Sequence, residues 1–80
     1  MAIRELDVIR TTMPLEGPDV FDDARVYPLP VGSRGTVVYV YGNGAAFEVE
    51  FLVGHSDSFV SVQIPVESSQ CELDWVAPEN

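Results

Sequence analysis

The chain has 80 residues, which is enough for one domain with one hydrophobic core and too few for a second. Its 13 acidic and 4 basic residues give a formal net charge of −9, which opposes binding to nucleic acid or to an anionic membrane surface and favours a basic protein as partner. Acidic side chains also keep small proteins soluble, so the charge alone does not require a partner.

The composition also bears on the class of protein and its compartment. Apolar residues make up 46% of the chain and charged residues 21%, as in ordinary globular domains, so a disordered chain is not expected. No apolar run approaches the roughly 18 residues of a membrane span, and Arg4 and Glu5 are incompatible with a signal peptide. The single cysteine, Cys71, cannot form an internal disulfide, which indicates a reducing compartment, and we expect a cytoplasmic protein.

The first predicted elements are a short strand and a long loop. Residues 6–10 alternate as a β-strand, with Leu6 and Val8 on one face and Asp7 on the other. Residues 11–34 contain four of the six prolines, a density that predicts an ordered loop and not an interior strand. Loops of this length are uncommon in compact domains and are often functional.

The centre of the chain carries the clearest strand pattern. Residues 36–41 are all β-branched or aromatic, and residues 46–52 alternate, with Phe47, Val49 and Phe51 on one face and Glu48 and Glu50 on the other. The inward-facing positions of the second run are Phe47, Val49 and Phe51. Between the two runs, Gly42-Asn43-Gly44 supplies the residues that a tight turn with positive φ requires, so we expect a β-hairpin here.

Two further strands complete the prediction. Residues 54–57 form a turn into a strand over residues 59–64, and a single helical turn over residues 66–70 precedes a last strand over residues 73–76, after which residues 77–80 fray. About five short strands with a long first loop and a helical turn before the last strand predict an all-β fold, a small SH3-like barrel. An OB-like barrel is the alternative, but it requires a helix between the third and fourth strands that this sequence lacks.

Several turn and core positions resemble a known family. The matching motifs are Gly32-x-x-Gly35-Thr36-Val37-Val38, Tyr41-Gly42-x-Gly44, Phe47-x-Val49-Glu50-Phe51 and Val62-x-Ile64-Pro65. They resemble a family of short bacterial proteins catalogued only as a domain of unknown function, for which an SH3-like barrel is expected. The resemblance runs from about Leu6 to Pro65, whereas residues 17–28 look like an insertion and residues 71–75 depart from the pattern. It implies a fold and no chemistry.

Candidate catalytic groups are few. His55 is the only histidine, and its neighbours Ser56 and Asp57 cannot join it in a triad because consecutive side chains do not converge. Cys71 has no histidine or second cysteine near it in the sequence, so we expect a half-buried structural thiol and no zinc site. We predict a non-catalytic protein without metal or cofactor. A ligand-binding or enzymatic role would require a pocket of at least about 300 Å³, which we do not expect a filled barrel to leave.

An acidic cluster in the long loop is the candidate partner-binding site. Its members are Glu16, Asp19, Phe21, Asp22 and Asp23. Their order lacks the pattern of an EF-hand, so a calcium site is not predicted. Phe21 has two interpretations: it either packs back onto the barrel or forms an apolar anchor in a partner contact.

These features favour two functions. The leading hypothesis is a small acidic protein-binding module, in its most specific form an inhibitor of the immunity or antitoxin type whose acidic loop covers a basic site on another protein. The alternative is an accessory structural subunit that joins a larger complex through the exposed edge of a strand. The sequence leaves the partner and the oligomeric state open.

Overall fold

The structure, a computed structural model, describes residues 2–78 except for the side chain of His55. Within this range it contains seven strands and two short 3-10 turns, in the order β1 (Val8–Thr11), β2 (Leu15–Asp19), β3 (Asp22–Leu29), β4 (Arg34–Tyr41), a turn at Gly42–Gly44, β5 (Ala46–His55), β6 (Ser58–Glu67), a turn at Ser68–Gln70 and β7 (Cys71–Trp75). They form one antiparallel sheet in the order β3-β2-β6-β5-β4-β1-β7. The all-β class is confirmed, but the prediction of five strands is wrong.

The strands β4, β5 and β6 form a meander at the centre of the sheet. The predicted hairpin between β4 and β5 is confirmed, and its turn has φ values of 49°, 57° and 96° at Gly42, Asn43 and Gly44. The inward positions of β5 are buried as the alternation predicts, with Val49 fully inaccessible to solvent. β5 and β6 then pair along their whole length because a turn of only two residues, Ser56 and Asp57, joins them.

The segment predicted as a long loop, residues 11–34, instead contains the hairpin of β2 and β3. Leu15 lies opposite Leu29, and Leu29 is buried in the core. Gly17 allows this hairpin to lie against β6, since a Cβ at that position would be 2.5 Å from Cγ2 of Ile64. The prolines mislead because Pro28 lies in the edge strand β3, and Pro18 lies in β2 at a position that pairs with β3 but not with β6.

The first strand begins two residues later than predicted and exposes the opposite face. Leu6 has a φ of 74° and is 65% exposed, whereas Asp7 is only 1% exposed. Ile9 and Thr11 therefore point into the core, and the prediction that the strand begins at Leu6 is wrong. A shift of one residue in a strand moves every side chain to the other face of the sheet, which explains the error.

The core collects side chains from nearly every strand. Its buried apolar members are Ile9, Leu29, Val37, Phe47, Val49, Phe51, Val62, Val66 and Cys71. The 3-10 turn at Ser68–Gln70 lies directly before β7, where a helical turn is predicted, and β7 begins at Cys71, two residues earlier than predicted. Of the predicted frayed tail, Ala77 donates its backbone N–H to Asp7, and residues 79–80 lie outside the described range.

Candidate protein-binding site

The predicted acidic cluster lies around the tip of the β2–β3 hairpin. β2 ends at Asp19 and β3 begins at Asp22, so the chain reverses through Val20 and Phe21. Oδ1 of Asp19 accepts the backbone N–H of Phe21 at 2.9 Å, and Oδ1 of Asp22 accepts that of Ala24 at 3.2 Å. Short side chains that bind the backbone two residues ahead stabilise tight turns. These two carboxylates therefore hold the reversal and also place negative charge at its surface.

Phe21 projects from this tip. Its side chain is 92% exposed, the highest value among the large apolar residues in the described part of the chain, and its neighbour Val20 is 45% exposed. The interpretation in which Phe21 packs back onto the barrel is therefore wrong. An exposed aromatic side chain flanked by carboxylates is instead the arrangement expected of an apolar anchor with a charged rim.

The structure brings four of the five predicted site residues together and separates the fifth. Asp19, Phe21, Asp22 and Asp23 lie within five residues around the reversal, whereas Glu16 lies further back along β2, opposite Pro28 in the neighbouring strand. One cation lies among them, because Nε of Arg25 is 3.5 Å from Oδ2 of Asp22. The pair is exposed and contributes little stability, so the tip remains an acidic surface.

Sequence reasoning missed a second exposed apolar pair on the β5–β6 hairpin. Leu52 is 66% exposed and Phe59 is 73% exposed. Leu52 follows the buried Phe51, so alternation along the strand turns it to the outer face of the sheet. Phe59 lies opposite Gly54, which shares that face. The signal in the sequence is an apolar residue in the polar phase of the alternation.

Ionic contacts connect the strands β4, β1 and β7 at one end of the strand order. Nε of Arg10 is 2.7 Å from Oε1 of Glu72, and Nη1 of Arg10 is 2.7 Å from Oδ1 of Asp74. Arg34 donates to the other oxygen of Asp74. Hydrogen bonds from Arg34 and then Arg10 hold the pKa of Asp74 below its usual range, and the bond to Asp74 raises the pKa of Arg10. Arg10 and Arg34, like Arg25 at the hairpin tip, are thus each paired with a carboxylate.

The predicted outward glutamates of β5 belong to a surface network. The rings of Tyr39 and Tyr41 meet edge to face with centroids 4.8 Å apart, and the Tyr41 hydroxyl donates to Oε1 of Glu48 at 3.0 Å. This hydrogen bond is the main cause that raises the pKa of Tyr41. Glu50 accepts from the hydroxyl of Ser61 at 2.9 Å. Both glutamates therefore have partners on the open outer face, which is not a catalytic cleft.

Of the two reactive side chains named from the sequence, the structure describes Cys71. Cys71 is 8% exposed, so it is more deeply buried than predicted; its Sγ lies 3.6 Å from the carbonyl oxygen of Glu67, and burial raises the pKa of the thiol. The side chain of His55 lies outside what the structure describes. Among the described residues, no three His, Cys, Asp or Glu side chains are grouped as metal ligands, and no helix is long and apolar enough to span a bilayer.

The surface, and not the filled core, carries a depression larger than 300 Å³. An open groove of about 530 Å³ runs beside the N-terminal segment. Its lining comprises Ile3, Arg4, Glu5, Leu6, Asp7, Val40, Ala77 and Pro78. The buried carboxylate of Asp7 already accepts two backbone N–H groups, from Arg4 and Ala77, so it serves to hold the chain together there.

Comparison with known proteins gives one family. The pattern of a family described as domain of unknown function (DUF4926) matches residues 5–68, which is most of the chain. The match includes the β2–β3 hairpin, so residues 17–28 lie within the family region. No curated protein and no solved structure shows a significant similarity to this chain.

Proposed function

The chain belongs to the DUF4926 family, and we propose that this member is a non-catalytic, acidic protein-binding module whose contact site is the tip of the β2–β3 hairpin. The observation that carries the proposal is the side chain of Phe21, which is 92% exposed at the end of a hairpin anchored in the core. Leaving an aromatic ring in water has no benefit for folding, whereas a rigidly presented ring is a common centre of a protein interface.

The charge around Phe21 suggests the nature of the partner. Asp19, Asp22 and Asp23 flank Phe21 along the chain, and the whole chain carries a formal charge of −9. Opposite charges accelerate association and disfavour acidic competitors, so the proposed partner is a basic protein. In its most specific form the module is a cytoplasmic inhibitor of the immunity or antitoxin type, in which the tip covers a basic functional site and Phe21 fills an apolar depression within it.

We also propose that the sheet curls into an SH3-like barrel that presents this hairpin rigidly. The edge strands β3 and β7 lie at opposite ends of the sheet order, yet Leu29 of β3 and Cys71 of β7 belong to the same core cluster. A flat sheet would keep these strands several strand spacings apart, and strong coiling brings them to a common core. A 3-10 turn before the last strand and a long hairpin after the first are consistent with that arrangement.

Salt titration of a binding reaction tests the function. The chain is mixed with the protein encoded beside its gene, and affinity is measured by calorimetry from low to high ionic strength. We expect binding that weakens with salt, because exposed charges are screened. Asp22→Asn with Asp23→Asn removes charge with little change in shape and should flatten the salt dependence. Phe21→Ser should weaken binding at every salt concentration and preserve the slope, since it removes apolar contact alone.

A matched control distinguishes an effect of the hairpin tip on affinity from an effect of net charge. Glu5→Gln removes an exposed carboxylate in the N-terminal segment, away from the hairpin tip, and should leave affinity almost unchanged. If binding is absent, or if the variants at positions 21, 22 and 23 bind like Glu5→Gln, the proposed function is wrong.

The edge strands support the alternative, an accessory subunit. β3 and β7 each have one neighbour in the sheet, so each has one side on which a strand of a larger complex could add. In that case Val26→Lys on β3, where the side chain is 53% exposed, should abolish assembly, and the variants at the hairpin tip should assemble normally. Size-exclusion chromatography of the complex distinguishes the two results.

A further inference from the structure

Two hairpins that are distant in sequence lie side by side in the sheet. Asp19 of β2 pairs with Val62 of β6, and the backbone N–H of Val20 donates to the carbonyl oxygen of Ser61 at 3.0 Å. These contacts fix the tip of the β2–β3 hairpin against the middle of β6. The position of Phe21 relative to the β5–β6 hairpin is therefore set by backbone hydrogen bonding at the adjacent residue.

The most exposed large apolar side chains are concentrated on these two hairpins. In the described part of the chain the three highest exposures are those of Phe21, Phe59 and Leu52, at 92%, 73% and 66%. Leu52 lies directly opposite Ser61, the residue that accepts from Val20, and Phe59 lies two positions before Ser61 on the same strand. Leu52 and Phe59 are thus diagonal neighbours on the outer face, one strand away from the acidic tip.

We propose that the partner-binding surface spans both hairpins, with Phe21 as one apolar contact and Leu52 and Phe59 as the other. This set of three residues is called the two-hairpin surface. The inference rests on the proposed function and extends it, because a single exposed ring is small for a specific interface, which typically buries about 800 Å² on each partner. Two separated apolar contacts joined by ordered backbone present a wider surface without requiring any change in the fold.

Charge selects the occupant of the two-hairpin surface. Asp19, Asp22 and Asp57 lie in the tips of the two hairpins, and Glu50 lies two residues before Leu52 on the same face. A second copy of the chain would bring another formal charge of −9 to this rim and be repelled, as would an anionic bilayer. The occupant that fits both the apolar contacts and the rim is a basic protein with an apolar patch among its cations.

Site-specific photo-crosslinking tests the inference in the organism that encodes the chain. The photoreactive residue p-benzoylphenylalanine is introduced as Phe21→p-benzoylphenylalanine, Phe59→p-benzoylphenylalanine and, as a control, Leu6→p-benzoylphenylalanine. Leu6 is 65% exposed, close to the value for Leu52, but it lies in the N-terminal segment. After irradiation, adducts are identified by mass spectrometry. We expect positions 21 and 59 to capture the same basic protein, and position 6 to give no adduct with it.

Each other outcome overturns a defined claim. If position 21 captures a basic protein and position 59 captures nothing or a different protein, the two-hairpin surface is wrong and the proposed function stands. If neither position captures a protein, or if both capture an acidic protein or a second copy of this chain, both claims are wrong. If position 6 gives the same adduct as positions 21 and 59, exposure alone explains the result and the inference is overturned.

Affinity for the captured protein gives a second readout. Phe59→Ser and Leu52→Ser should each weaken binding by about tenfold or more, because truncating a central apolar contact of an interface typically has that effect. Leu6→Ser should bind as the unmodified chain does. Circular dichroism confirms that the variants fold, which is expected since the replaced side chains are exposed. Unchanged affinity of both Phe59→Ser and Leu52→Ser contradicts the inference.

Discussion

Asp7 accepts a hydrogen bond from the backbone N–H of Ala77, which lies 70 residues further along the chain, at 2.9 Å. The other carboxylate oxygen of Asp7 accepts the backbone N–H of Arg4, also at 2.9 Å. The side chain is 1% exposed, so a single buried carboxylate holds the segment before β1 and the segment after β7. Both ends of the described chain are thereby fixed to the core.

Removing this carboxylate should destabilise the fold strongly. Asp7→Ala leaves two backbone N–H groups without an acceptor in a buried setting, and hydrogen bonds to a charged acceptor are among the stronger ones. We expect a loss of about 2–4 kcal/mol in the free energy of unfolding measured with urea. Asp7→Asn retains one acceptor oxygen and should lose less. Asp57→Ala, in an exposed turn, serves as the control; equal stability of Asp7→Ala and Asp57→Ala would contradict the prediction.

The role of Asp7 shows where sequence reasoning stops. Alternation identifies a strand near residues 6–10 but places Asp7 outward, because an acidic residue in a half-buried strand is normally solvated. Two facts reverse this: Leu6 has a φ of 74°, which interrupts the alternation, and the partner Ala77 is separated by nearly the whole chain. The local sequence pattern predicts neither the φ of Leu6 nor the contact with Ala77. The β4–β5 hairpin is predicted correctly because its signals lie within residues 36–52.

The ion pairs of Asp74 should make stability depend on pH in the acid range. The two arginines lower the pKa of Asp74 below its ordinary value of 3.8, so the folded state holds its proton less tightly than the unfolded state does. The resulting stability is fully present above the unfolded pKa and is lost as the pH falls through the folded pKa. We expect the difference in urea midpoint between the unmodified chain and Asp74→Asn to be constant from neutral pH to about pH 5 and to shrink below pH 3.8.

The two arginines should contribute unequally to the pKa of Asp74. The hydrogen bond from Arg34 is the largest cause of the lowered pKa and that from Arg10, which also binds Glu72, is smaller. NMR titration of the Asp74 carboxyl carbon should therefore show a larger rise in its pKa for Arg34→Gln than for Arg10→Gln. A larger rise for Arg10→Gln, or no rise in either variant, would show that the paired geometry does not persist in solution.

The segment that carries the candidate site is predicted as a loop and is a hairpin, whereas the assignment of its residues to a binding site remains a prediction. The acidic cluster and Phe21 stand out in the sequence because charge and aromaticity are visible in composition. The hairpin that carries them does not, because Pro18 and Pro28 lie within its strands and Gly17 lies inside β2. Proline density argues against regular pairing on both sides of a strand, yet Pro18 lies in β2, which pairs with β6 only at Asp19, and the contact of Gly17 with β6 is visible only in the tertiary structure.

Burial of Cys71 should suppress its reactivity. The thiol is 8% exposed and desolvation raises its pKa, so little thiolate is present at pH 8 and reagents have poor access to it. We expect a disulfide reagent such as DTNB to react with the folded chain at least about tenfold more slowly than with the chain unfolded in urea. Equal reaction rates for the folded and the unfolded chain would contradict the burial of Cys71, the first residue of β7.

Contact between the β2–β3 hairpin and β6 is tested by adding a single methyl group. A Cβ at Gly17 would lie 2.5 Å from Cγ2 of Ile64 and 2.6 Å from Cγ1 of Val62, so Gly17→Ala forces the hairpin or the β6 side chains to move. Overpacking of this kind costs about 1–3 kcal/mol, which we expect as a lower free energy of unfolding in urea.

Gly54→Ala is the matched control, because a Cβ there meets no atom within 4 Å. It should be neutral or slightly stabilising, since alanine restricts the unfolded chain more than glycine does. If Gly17→Ala and Gly54→Ala have the same free energy of unfolding, the hairpin does not pack on β6. The position of Phe21 relative to Ser61 is then not fixed either.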